Sequence, residues 1–134
     1  MHEAMADYRE HFYDSSDGLR LFARDYAGPA DSPLLPVLCM HGLTRNSADF
    51  EWIAAHLAQS RRVISVDQRG RGRSAWDPTP DNYTPPTYVG DMFRLLDALG
   101  LERVIAIGTS MGGLMAMIMA NVQPQRFAGV VLND

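Results

Sequence analysis

No lysine occurs in the 134 residues; all 12 basic side chains are arginine. That absence excludes a lysine Schiff base, a P-loop lysine and a Ser-x-x-Lys nucleophile pair within the chain. Cysteine is nearly absent too. The single Cys39 rules out an internal disulfide framework and a cysteine-rich zinc site, and it points to a reducing compartment. It lies in the apolar run "PVLCM", where a buried structural thiol is expected. The N-terminal stretch "MHEAMADYREHFYDSSDGLR" scatters charges where a signal peptide would carry an apolar core, so a cytoplasmic location is expected. Positive charge is also short: net charge is -4, with 16 acidic residues, and no basic face suggests a nucleic-acid partner.

What is present is ordinary globular composition. Hydrophobic residues make up 46% and charged residues 21%, which predicts a packed core rather than disorder. The length suits one domain on the usual scale of roughly 100 to 200 residues. "REHFYD", an Asp17-Gly18 turn signal and "LRLFARDY" read as an antiparallel hairpin. After the turn-rich "AGPADSPLLP" the pattern changes to short continuous apolar runs, "PVLCM", "RRVISVD", "RVIAIG" and "FAGVVLN", the signature of strands buried on both faces. Helical spacing falls between them: Phe50, Ile53, Ala54 and Leu57 within Ser47 to Ala58; then Val89, Met92, Phe93, Leu96 and Leu99, with Gly100 as C-terminal cap; then Met111 to Val122. Strands alternating with helices predict an α/β fold with a mostly parallel sheet and helices on both faces.

One stretch admits two readings. "AIGTSMGGLMA" centres on a Gly-x-Ser-x-Gly pentad inside an uncharged run from Val104 to Val122. As one helix it would be a membrane-span candidate with Gly108 and Gly112 as a Gly-x-x-x-Gly contact. Gly108, Thr109, Ser110, Gly112 and Gly113 would then sit together at its centre and weaken it. The β-rich "VIAI" against "LMAMIMA" favours a strand turning sharply into a helix, so no membrane partner is expected. Such a turn projects the serine above the carboxyl edge of the sheet and aims the helix N-terminus at it, where backbone N–H groups favour a developing oxyanion. Glycines at 108 and 112 fit a strand and helix that cross closely, and Ser110 is expected in strained backbone geometry.

"HGLT", "DQRGRGRS", "GTSMGG" and "VVLND", in that order over essentially the whole chain, resemble the N-terminal half of the α/β-hydrolase superfamily. The resemblance implies an incomplete α/β-hydrolase fold: residues 1–134 as the N-terminal part of a single domain, strands 1–6 of the expected eight, with the lid and C-terminal part elsewhere. It implies Ser110 as nucleophile and the backbone N–H groups of Met111 and Leu43 as the oxyanion hole. It also implies a hydrolase of the carboxylesterase-like kind working through an acyl-enzyme, on a small-molecule ester-like substrate. Neither metal nor organic cofactor is implied, because this chemistry runs on proton transfer and hydrogen bonding. A serine at this place disfavours the branches that use aspartate there.

Other residues look chemical and read more blandly. His41 shapes the oxyanion loop in the family; His2, His11 and His56 read as solvated or satisfied side chains. Asp67 and Arg69 are expected to fix a loop by pairing. Met111, Met115, Met117 and Met119 read as core filler, and Trp76 and Tyr83 line a pocket or cover the sheet.

A serine hydrolase needs a base and an acid, and in this superfamily they follow the serine in the chain. No histidine occurs after His56. Asp134 is compatible with an orienting acid or with a structural strand-end carboxylate. The base is therefore expected from outside residues 1–134, from the remainder of the hydrolase fold, a second chain being one source, and the fragment alone is expected to be inactive. The alternative is a non-catalytic small-molecule binding protein on the same fold.

Overall fold

Period-two alternation along the strands supplies two cores at once. In the computed structural model, which describes residues 7–133, strand β3 (Val37–Met40) is buried along its whole length. Val37 and Cys39 pack with Phe50, Ala54 and Val63 on one face, while Leu38 and Met40 pack with Met92, Leu96 and Met115 on the other. This is why the run is continuously apolar: it has no solvent face to mark with polar residues.

The sheet is six-stranded. The hairpin β1 (Arg9–Asp14) and β2 (Arg20–Tyr26) is antiparallel, as the Asp17-Gly18 signal predicts, and Gly18 takes φ 84° in the turn. β2 runs antiparallel to β4 (Val63–Asp67); β4, β3, β5 (Val104–Thr109) and β6 (Phe127–Asn133) are mutually parallel, in the order β1-β2-β4-β3-β5-β6. Helix α1 (Glu51–Leu57) covers one face, and α2 (Pro85–Ala98) and α3 (Met111–Val122) cover the other.

From β3 the chain crosses by α1 to β4 on one side; from β5 it crosses by α3 to β6 on the opposite side and face. The carboxyl ends of β3 and β5 are therefore adjacent strand ends whose connections diverge. A crevice opens there, the usual place for a ligand in an open α/β sheet.

Local chemistry explains where helices start and stop. Two prolines open α2, at positions where a missing N–H leaves no helical bond unmade, so the element begins inside the proline-rich loop stretch "WDPTPDNYTPP". It ends in a Schellman motif. Gly100 takes φ 67°, its N–H bonds the Asp97 carbonyl at 3.1 Å, and the Leu101 N–H bonds the Leu96 carbonyl at 2.8 Å. The helix expected from Ser47 begins instead as a 3-10 turn over Ser47–Phe50, with the Asn46 side chain capping Ala48 N–H at 2.9 Å.

The stretch from Val104 to Val122 divides into β5 and α3, and among the described residues no helix is long and apolar enough to cross a membrane. Met115 and Met119 are buried core residues as expected; Met117 is half-exposed, together with Leu114. The buried stripe of α3 runs Gly112, Met115, Ala116 and Met119, and 114 and 117 fall on its other side. β6 is an edge strand among the described residues, with Val131 and Leu132 also about half-exposed.

Candidate functional site

β5 ends at Thr109 and α3 begins at Met111, so one residue makes the turn. Ser110 has φ 52° and ψ -112°, the only non-glycine with positive φ among the described residues. Such a conformation costs an L-residue on the order of 1–3 kcal/mol and persists only where its surroundings impose it. They do so here. The Ser110 N–H donates to the Asn133 carbonyl of β6 at 3.0 Å, and the Ser110 carbonyl accepts from Gly113 and Leu114 N–H at 2.9 and 3.1 Å.

The pentad glycines are explained by backbone proximity. A Cβ on Gly108 would sit 2.2 Å from the Gly112 carbonyl oxygen, and one on Gly112 would sit 2.1 Å from that of Met40. Any side chain at either position would push α3 off the sheet. The Ser110 side chain is exposed, and among the described residues its hydroxyl has no hydrogen-bond partner. Of the first-turn amides of α3, Gly113 and Leu114 are taken up by Ser110, which leaves the Met111 N–H without a carbonyl of its own helix.

Across the crevice, Leu43 follows β3 on a loop. Its side chain is 61% exposed, so packing does not hold it and the backbone must. The Gly42 carbonyl accepts from His41 Nδ1–H at 2.7 Å and from Arg45 N–H at 3.1 Å. A trans peptide is planar, with its N–H opposite its C=O, so pinning the Gly42 carbonyl also aims the Leu43 N–H. Gly42 borders the serine: a Cβ there would stand 3.7 Å from Ser110 Cβ.

His41 is fully buried, and its Nε2 accepts from the Gln68 N–H at 3.0 Å. Since that nitrogen must be the acceptor, Nδ1 carries the proton. Burial holds the ring's pKa below the usual histidine value, which keeps it neutral. Both nitrogens are occupied in shaping the loop, and neither is available to take a proton from Ser110. His11 lies on β1 and His56 on α1, away from this edge; His2 and Asp134 lie outside the described residues.

"DQRGRGRS" fixes the neighbouring loop. Asp67 Oδ1 accepts from Ser47 N–H at 2.7 Å and Oδ2 from Arg73 N–H at 3.0 Å, so one carboxylate ties the loops after β3 and β4 together. A Cβ on Gly72 (φ 53°) would overlap that carboxylate, which explains the glycine. The Arg69 side chain is 1% exposed and holds Asp91 of α2 through two bonds of 2.6 and 2.9 Å, Asp77 at 2.7 Å and Asp17 of the hairpin at 3.0 Å. Of these partners, only Arg69 itself stands out in the sequence. The three aspartates are scattered over 75 positions, and nothing local marks them as partners of Arg69. Tyr83 folds over this loop with its hydroxyl on Asp77 N–H and carbonyl, at 2.7 and 2.9 Å, whereas Trp76 is 78% exposed.

Two open grooves flank the end of β6. One, of about 550 Å³, is lined by Ser110, Leu114, Met117 and Leu132; the other, of about 640 Å³, by Arg45, Phe50, Ile53, Ile107 and Val131. The Arg45–Asp49 pair closes the rim of the second, with the guanidinium holding the Asp49 carboxyl below its ordinary pKa.

A family model described as the alpha/beta hydrolase fold matches residues 36–134. The chain belongs to the α/β-hydrolase fold family. It is similar to a 3-hydroxybutyrate-oligomer hydrolase from Cupriavidus necator, 39% identical over 115 residues, a match covering 86% of this chain and 39% of that protein. It is also similar to a non-heme chloroperoxidase from Streptomyces lividans, 37% identical over 120 residues, covering 88% of this chain and 42% of that protein. The crystal structure of an α/β hydrolase from Novosphingobium aromaticivorans superposes with a TM-score of 0.90 at 48% identity, covering 98% of this chain and 45% of that one. This α/β-hydrolase chain thus spans less than half the length of the relatives it matches.

Proposed function

We propose that residues 1–134 are the nucleophile-bearing N-terminal part of a single serine-hydrolase domain of the carboxylesterase-like kind, the first six of eight strands. The observation that carries this reading is Ser110: a strained, positive-φ serine with an exposed, unpartnered hydroxyl, at a turn whose glycines admit no side chain. Natural chains rarely keep strain of this size where function does not use it.

In the proposed reaction Ser110 Oγ attacks the carbonyl carbon of a small ester-like substrate. Its proton passes to an imidazole supplied from outside residues 1–134, and the carbonyl oxygen becomes an oxyanion held by the Leu43 and Met111 amides. Collapse expels the alcohol, which takes the proton from the imidazole. Water then releases the acid from the acyl-enzyme by the same route. The similarity to a protein named as a 3-hydroxybutyrate-oligomer hydrolase supports a hydrolytic reaction on an acyl bond. The remainder of the fold is the proposed source of the histidine and the lid, and a cytoplasmic site of action fits the single buried Cys39.

A non-catalytic small-molecule binding protein on the same fold is the rival, favoured by one observation: an open groove of about 550 Å³ beside Ser110. A fluorophosphonate probe separates the two. The complete protein that carries this chain is expected to label at Ser110, and Ser110→Ala is expected to lose labelling and esterase activity by at least about 10⁴-fold. Absence of labelling in the complete wild-type protein would establish the binding reading instead.

A further inference from the structure

We infer that Arg71 is a positioning residue for the oxyanion donor at Leu43. Resting on the reading of Ser110 as nucleophile and the Leu43 N–H as donor, the inference adds a second clamp on the same residue. A residue's backbone has two soft torsions, one on each side of its Cα. On the N-terminal side of Leu43, the Gly42 carbonyl is held by His41 and Arg45 N–H. On the C-terminal side, the Leu43 carbonyl accepts from Arg71 Nε–H at 3.0 Å. With both flanking peptide planes held, neither torsion is free, although Leu43 belongs to no helix or strand and its side chain is exposed.

Arg71 is itself placed to act as a fixed arm. Its Nη1–H donates to the Arg69 carbonyl at 3.0 Å, so one guanidinium bridges the loop after β4 to the loop after β3. The guanidinium carbon lies 5.0 Å from the ring centre of Tyr88, which is fully buried on α2, and 6.0 Å from that of Tyr83. The planar fork suits this work because Nε and Nη1 donate in fixed directions to two carbonyls, which a lysine ammonium cannot reproduce. Arg69, the residue whose carbonyl anchors the arm, is immobilised in the carboxylate cluster. Among the described residues Arg71 meets no carboxylate, so its charge is not used for pairing. The two backbone carbonyls account for its orientation.

A donor that swings by an ångström loses the oxyanion, a loss that reaches roughly 100-fold in rate. Arg71→Met keeps the stem on Tyr88 and removes both donors. In the complete protein, with a p-nitrophenyl ester and a fluorophosphonate as probes, this variant is expected to lower kcat and the Ser110 labelling rate by roughly 10- to 100-fold, with KM changed by less than about threefold. Arg71→Lys is expected to recover less than half of the loss, and added guanidinium ion to restore part of the activity of Arg71→Ala. The melting temperature of each variant, read in parallel, removes general misfolding as the cause. Labelling of Arg71→Met at the wild-type rate would overturn the inference and leave the nucleophile reading standing. A wild-type protein that does not label at all would overturn both. A loss confined to KM would overturn the positioning role and make Arg71 a substrate contact.

Discussion

A serine at φ 52° carries a cost that a glycine there would not. Ser110→Gly is therefore expected to be about 1 kcal/mol more stable than Ser110→Ala, the reverse of the ranking of these residues in a helix interior. Urea unfolding of the two variants checks this; equal midpoints would mean that the turn is not strained. The residues around Ser110 divide by legibility. Gly108 and Gly112 could be read from the sequence because the β-rich "VIAI" against "LMAMIMA" marks the Gly-x-Ser-x-Gly pentad as a strand turning sharply into a helix. His41 could be read only as a loop-shaping residue, and its two bonds, to Gly42 and from Gln68, are set by the tertiary structure. Arg71 carries no sequence signal, because its partners are backbone carbonyls and any residue supplies those. Cys39 is buried as the apolar run implies, and burial pushes its thiol up to about 12.

At the scale of elements, one arginine joins three of them. Arg69, on the loop after β4, reaches the hairpin through Asp17, the proline-rich loop through Asp77 and α2 through Asp91. The hydrogen bond from Arg69, helped by Ser15, lowers the Asp17 carboxyl to about 2 from an ordinary 3.8. A depressed carboxylate stabilises the folded state fully above its unfolded value, and that contribution is lost as pH falls through the folded one. Between about pH 4 and pH 2, the wild type is therefore expected to lose stability that Asp17→Asn has already lost at neutral pH. The step is expected to stay under about 1 kcal/mol, since Asp17 is nearly half-exposed and screened. Unfolding curves of the two proteins between pH 2 and 6 check it; parallel curves would remove Asp17 from the acid response. Element types and order were legible throughout, because strands buried on both faces read as continuous apolar runs and helices as 3.6-residue stripes. Their ends were not: prolines at the start of α2 look like loop, and a 3-10 turn ahead of α1 looks like helix.

For the whole molecule, one group of exposed apolar residues lies together beside β6. Leu114 and Met117 of α3 and Val131 and Leu132 of β6 line the two grooves, and the outer edge of β6, unpaired among the described residues, lies beside them. A long apolar edge is a template for pairing with another chain. Expressed alone, residues 1–134 are expected to self-associate, and the complete protein to do so far less. Sedimentation velocity at tens of micromolar distinguishes the outcomes, and a monomeric fragment would show that the apolar side is tolerated by itself.

The amino-acid sequence alone determined the class of fold, the order of elements and the place of Ser110, because periodicity and glycine spacing are local properties that survive without neighbours. Only the tertiary structure decided that β3 and β5 lie side by side with connections to opposite faces, bringing Gly42 against Ser110 from positions 68 residues apart. It alone decided which charges meet Arg69, and that both ring nitrogens of His41 are used in holding the loop. The physical reason is common to these cases. Hydrogen bonds and ion pairs depend on distances of about 3 Å in space, and separation along the chain carries no measure of them.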